Sequence, residues 1–149
     1  MSKLVILDTS FISNWMKPYH NSEETERYSN FEELIKNKKV AIALPTPVIT
    51  ELLAGPVKSI SDDIFGKTVR KLPFDYKASV ECANLFGGQT GGAKAKIKFD
   101  CQIIAIAKAY NIDTIYCDDE QLKKRAENVG IKVIKSQDIA LKAQRELFT

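Results

Sequence analysis

With 149 residues, 44% of them hydrophobic, the chain has the length and composition of one domain built around a single core. Its formal charge of +3 permits contact with a polyanion but is far from the density of a polybasic tail. The cysteines Cys82, Cys101 and Cys117 form no Cys-x-x-Cys pair and the only histidine is His20, which argues against both a disulfide framework and a zinc site.

In chain order, residues 3 to 7 read as a short buried strand. Thr9-Ser10 can cap a short helix through about Met16, which Lys17-Pro18 breaks. A polar loop containing His20 follows, then a helix from Glu23 to Asn37 with Tyr28, Phe31, Leu34 and Ile35 on one face. Val40 to Leu44 is a second buried strand. Pro45-Thr46-Pro47 marks a helix entry with Thr46 as N-cap, and Gly55-Pro56 stops that helix. Ser61-Asp62-Asp63 opens another helix, ending near Lys71, and Leu72 to Phe74 is extended. Asp75 caps a helix to Phe86. Residues 87 to 98 hold four of the seven glycines and Lys94, Lys96 and Lys98 on an alternate spacing, and read as a loop. A helix from Phe99 to Tyr110, a strand from Asp113 to Cys117, a helix from Glu120 to Asn128, a strand from Ile131 to Ile134 and a helix from Ser136 to Phe148 complete the chain.

Helices alternating with short aliphatic strands predict an α/β fold, a three-layer α/β/α arrangement with a central parallel sheet of four to five strands. No linker or repeat divides residues 1 to 149, so one domain is expected. The run Leu4 to Leu7 is too short for a signal sequence and no stretch is long enough to span a bilayer, so a cytoplasmic protein without membrane contact is expected.

Four acids stand at the ends of these apolar segments: Asp8, Glu51, Asp100 and Asp119. In a parallel sheet the strand ends share an edge with the following helix starts, which is where ligands bind. Asp8 and Asp119 follow strands, Asp100 opens a helix, and Glu51 lies within the first two turns of its own. All four can reach one rim. Carboxylates gathered without basic partners repel one another unless they share a hard cation. Each acid alone has an ordinary reading: Asp8 and Asp118 or Asp119 as caps, Asp100 as a complement to a helix dipole, Glu51 as a solvated residue. Only the conjunction points to chemistry. Lys94, Lys96 and Lys98 read equally as phosphate contacts or as a solvated basic loop. Gly87 and Gly92 have the spacing of a phosphate-binding loop, but no Lys-Ser/Thr follows, which argues against nucleotide hydrolysis.

Val5-Ile-Leu-Asp8-Thr-Ser10, Pro45-Thr-Pro-Val-Ile-Thr-Glu51, Leu72-Pro-Phe-Asp75, Asp100-Cys-Gln-Ile-Ile-Ala-Ile-Ala107 and Ile115-Tyr-Cys-Asp118-Asp119-Glu-Gln-Leu122 together resemble the PIN-domain nucleases, and within them the VapC-type toxins. The resemblance covers nearly the whole chain, in order. It implies a metal-dependent endoribonuclease using Mg²⁺ or Mn²⁺, with Asp8, Glu51, Asp100 and Asp119 as ligands. Asp119 is the first choice for the last acid, because Leu122 then takes the apolar place after it, and Asp118 can substitute or assist. Thr9 or Ser10 would hydrogen-bond within the site. Cys117 stands where relatives often carry threonine. The resemblance further implies an RNA substrate, an antitoxin laid across the acidic rim and a homodimer. A stand-alone nuclease acting on RNA or single-stranded DNA is the alternative. A receiver-like Mg²⁺-binding signalling domain is a third reading, but Asp8 lacks the paired acid it needs.

Overall fold

Five parallel strands form one sheet in the order β3-β2-β1-β4-β5 in a computed structural model that describes residues 2–55, 65, 69–87 and 94–141. The strands are β1 (Lys3–Leu7), β2 (Val40–Pro45), β3 (Arg70–Leu72), β4 (Thr114–Tyr116) and β5 (Lys132–Ile134). Six helices flank the sheet among the described residues: α1 (Thr9–Trp15), α2 (Ser22–Lys36), α3 (Thr46–Ala54), α4 (Tyr76–Phe86), α5 (Lys94–Ala109) and α6 (Glu120–Asn128). A 3₁₀ turn, Ser136–Asp138, follows β5.

β1 lies at the centre and is buried from Val5 to Leu7, as its aliphatic sequence requires. It pairs with β2 through Lys3↔Val40 to Ile6↔Ala43, and with β4 through Ile6↔Ile115 and Leu7↔Tyr116. The strand order reverses between β1 and β4. A crevice opens beyond the strand ends at such a reversal, and ligands of open α/β sheets bind there. Asp8 follows β1 directly and Asp119 lies three residues past β4, so the topology puts both acids at the crevice.

Aromatic packing fixes the elements behind it. Phe11 of α1 is fully buried and meets Phe31 of α2 at 5.0 Å and Tyr116 of β4 at 5.3 Å between ring centroids. Trp15 packs edge-on against Phe31 at 5.2 Å, a partly buried side chain against the core whose indole N–H donates to Glu32. Asn21 caps α2 in a reciprocal box with Glu24. His20 is half-buried, with its ring 4.8 Å from Tyr28 and Nε2 2.9 Å from the Asn14 carbonyl.

Three expected elements differ. Arg70 and Lys71 join the extended Leu72 in β3 instead of ending a helix, paired through Ala43↔Arg70, Leu44↔Lys71 and Pro45↔Leu72. Two basic residues in a three-residue edge strand carry little apolar signal, and charge is how edges avoid further pairing. The helix expected from Phe99 begins at Lys94, so Lys94 to Lys98 is helical and not an extended loop. In place of the helix expected from Ser136, the described residues 136–141 hold a single 3₁₀ turn, and the Ser136 amide and hydroxyl both donate to Asp118. The continuation of that helix past residue 141, its predecessor opening at Ser61 and the glycines from 88 to 93 lie outside the described residues.

Candidate active site

Asp8 follows β1 directly and caps α1. Its Oδ2 accepts the Ser10 hydroxyl at 2.7 Å and the Ser10 amide at 3.3 Å, and the Cys117 thiol lies 3.5 Å away. Its Oδ1 is buried and has no hydrogen-bond partner. An unsatisfied buried carboxylate oxygen costs free energy unless a cation meets it.

Asp119 likewise caps a helix, accepting the Gln121 and Leu122 amides of α6 on Oδ1 at 2.8 and 3.1 Å. This leaves Oδ2 for the cleft. Burial raises its pKa, but the Lys96 ammonium and the two amides outweigh burial and hold the carboxyl below the usual range. Capping and lining the site are therefore one role for both acids: the cap fixes one oxygen and aims the other.

Glu51 sits on α3 between the buried Val48 and Leu52, which turns it outward. The Thr9 hydroxyl donates to its Oε1 at 2.6 Å, tying α1 to α3. Asp100 is on the second turn of α5 and has no exposed surface. It is therefore not a first-turn complement to a helix dipole, as its place before the apolar run suggested. Burial pushes its carboxyl above the usual range, opposed by Lys96 and Arg125.

Asp8, Thr9, Ser10, Glu51, Lys96, Phe99 and Asp119 line an open cleft of about 490 Å³. Asp100 backs it through Lys96. The Lys96 ammonium lies 2.9 Å from Asp100 Oδ1 and 2.8 Å from Asp119 Oδ2, and Arg125 Nε lies 3.4 Å from Asp100 Oδ2. The acids thus have basic partners that sequence reasoning did not assign. The signal was the i,i+4 spacing of Lys96 and Asp100, legible only once the helix starts at Lys94. On a helix, residues two apart point about 200° apart. Lys96 accordingly turns into the acids while Lys98 is exposed, and the Lys94 side chain lies outside the described residues.

Asp118 faces away from this cluster. Its oxygens accept Asn14 Nδ2 at 2.7 Å, the Ser136 amide at 2.7 Å and the Ser136 hydroxyl at 2.6 Å. These bonds join α1, the end of β4 and the 3₁₀ turn. Asp118→Ala is expected to cost roughly 1–3 kcal/mol in thermal or urea unfolding, because three donors lose their acceptor. Turnover by the folded fraction should stay within a few-fold of wild type. A variant with unchanged stability and no turnover would place Asp118 in the chemistry instead.

The donor set is oxygen only, and two of its buried oxygens, Asp8 Oδ1 and Asp100 Oδ2, have no hydrogen-bond partner, which fits a hard divalent cation. Among the described residues no three Asp, Glu, His or Cys groups are placed to hold an ion jointly in this side-chain arrangement. The Lys96 ammonium lies between Asp100 and Asp119 instead.

The PIN domain family model matches residues 5–128. The chain belongs to the PIN-domain family. PIN domains are nucleases, and membership sets the receiver reading aside. No curated protein matches the chain. Among solved structures, the fold is similar to that of VapBC2 from Rickettsia felis bound to a DNA fragment from its promoter. That match has 24% identity and a TM-score of 0.59, covering 89% of this chain and 98% of the other. DNA-bound VapBC from Salmonella typhimurium matches with 17% identity and a TM-score of 0.56, covering 91% of this chain and 99% of the other. The PIN-domain endonuclease Utp24 matches with 18% identity and a TM-score of 0.53, covering 89% of this chain and 84% of the other. No helix of the described PIN domain is long and apolar enough to cross a membrane.

Proposed function

We propose that this PIN domain is a metal-dependent endoribonuclease that hydrolyses RNA phosphodiester bonds, and the toxin of a toxin–antitoxin pair. One observation supports the nuclease reading: Asp8, Glu51 and Asp119, distant in sequence, line one cleft at the reversal point of the sheet, with the buried Asp100 joined to Asp119 through Lys96. Asp8, Asp100 and Asp119 would hold Mg²⁺ or Mn²⁺, with Glu51 beside them. When bound, the ion supplies Lewis-acid polarisation of a phosphoryl oxygen and acidification of a water molecule.

The chain's own groups do the rest. Ser10 and the start of α1 fix Asp8 against rotation. Thr9 holds one oxygen of Glu51, an exposed carboxylate at the cleft that would take up the proton of the attacking water. Phe99 gives the cleft an apolar wall. Lys98, exposed on the same helix, supplies positive charge for neighbouring phosphates.

The toxin assignment draws on the resemblance to VapC proteins and on the shared fold of the two VapBC complexes. An antitoxin segment would lie across the acidic rim, the toxin would act in the cytoplasm, and two copies would form a homodimer. The alternative is a stand-alone nuclease, and the fold shared with the PIN-domain endonuclease Utp24 is equally compatible with it.

Purified protein is expected to cut RNA in Mg²⁺ or Mn²⁺ and to stop in EDTA. Cleavage that persists in EDTA overturns the metal-dependent reading. Cutting single-stranded DNA equally well, with no growth arrest on expression, would favour the stand-alone alternative.

A further inference from the structure

Lys96 is the third residue of α5, one turn before Asp100. Its ammonium lies 5.9 Å from the centre of the Phe99 ring and bridges Asp100 and Asp119 at 2.9 and 2.8 Å. Its side chain is 34% exposed, so it reaches the two acids from the cleft and not from the core. Asp100 is wholly buried, and without Lys96 its charge would face only Arg125 at 3.4 Å. An ammonium therefore already stands on the two carboxylates that a divalent ion would use. Two cations cannot share those oxygens at contact distance without strong repulsion.

We propose that Lys96 is a tethered counter-cation of the acid cluster: it holds Asp100 and Asp119 together while the site lacks metal, and a divalent ion binds by displacing its ammonium into the cleft. This rests on the metal-dependent reading above. Two features make the exchange feasible. Solvent already reaches the lysine, so leaving the acids does not strand a charge in the core. The buried Asp8 oxygen, which Lys96 does not satisfy, gives the incoming ion a ligand that the ammonium lacks. A displaced ammonium stays tethered at the wall beside Phe99, where a substrate phosphate would lie. The metal-free site is then charge-balanced in part by the chain itself, and metal affinity is lowered by the contact that must be broken.

The test is calorimetric titration of Mn²⁺ into wild type, Lys96→Met and Lys96→Arg, without RNA. Methionine keeps most of the apolar stem and removes the charge. Lys96→Met is expected to bind Mn²⁺ roughly tenfold more tightly, the equivalent of one decade of lost competition. Lys96→Arg should stay within about threefold of wild type, since the competing cation remains. Equal or weaker binding by Lys96→Met overturns the proposal. Absence of binding in all three overturns the metal-dependent reading as well. A second measurement needs no substitution: acetylation of Lys96 in the wild-type protein, followed by mass spectrometry. It should proceed several-fold faster with Mn²⁺ than in EDTA, because metal frees the amine from its acids. An unchanged rate overturns the proposal even if Lys96→Met fails to fold.

Discussion

Asp8→Asn is expected to leave a folded protein that no longer cuts RNA. Asparagine caps helices about as well as aspartate, and its side-chain oxygen can still accept the Ser10 amide and hydroxyl that bind Asp8 Oδ2. Thermal stability should therefore move by no more than about 1 kcal/mol, or roughly 2–4 °C for a chain of this size. The other position changes character. The buried Oδ1, without any partner, becomes an amide that donates instead of accepting, and the negative charge facing the cleft is gone. Loss of a residue that merely supports a metal ligand typically costs 10–100-fold, so loss of a ligand should lower cleavage by more than about 100-fold. Paired RNA-cleavage and unfolding measurements check this. Turnover near wild type in a folded Asp8→Asn protein would remove Asp8 from the chemistry. Collapse of the fold would show that the charge is structural.

The parts of this site legible in the sequence were those governed by local rules. Asp8 and Asp119 each follow a short aliphatic run, and each was readable either as a cap or as a ligand; the structure gives them the cap and the cleft at once. Spacing to Leu122 made Asp119 the first choice but left Asp118 as a substitute. What separates them is long-range: Asp118 is held by Asn14 and Ser136, whereas Asp119 bonds its own helix and turns an oxygen to Lys96. The same limit hid β3, whose Arg70-Lys71-Leu72 becomes a strand only because β2 offers it an edge. It also hid the start of α5. Glycines and lysines before Asp100 lack helical periodicity, so the helix seemed to begin with its apolar stretch at Phe99. That displacement of five residues mattered most. It made Asp100 look like a surface acid at a helix end, and it made three lysines look like one basic loop. The hydroxyls of Thr9 and Ser10 entered through the family resemblance alone; in the structure Ser10 donates to Asp8 and Thr9 to Glu51.

Asp100→Ala is expected to be the most destabilising of the acid substitutions, for a reason distinct from catalysis. The Asp100 side chain is completely buried and takes Lys96 on one oxygen and Arg125 on the other. Breaking a buried ion pair by removing one partner costs about 3–5 kcal/mol, because the remaining charge loses its compensation. Here the figure is lowered on two counts. Lys96 is 34% exposed and keeps Asp119, and burial already opposes ionisation of Asp100 itself. A loss of about 2–3 kcal/mol remains, or roughly 5–10 °C in the melting temperature. Asp100→Asn is isosteric and still accepts the Lys96 ammonium, so its loss should be smaller. Both variants should lose cleavage, since neither offers a charged ligand at that position. Melting curves in EDTA separate the two effects: alanine well below wild type, asparagine between them. Wild-type stability in Asp100→Ala would mean that Lys96 and Arg125 are compensated without this carboxylate. The acid cluster would then be held together by Asp119 and its helix cap, and not by the buried pair.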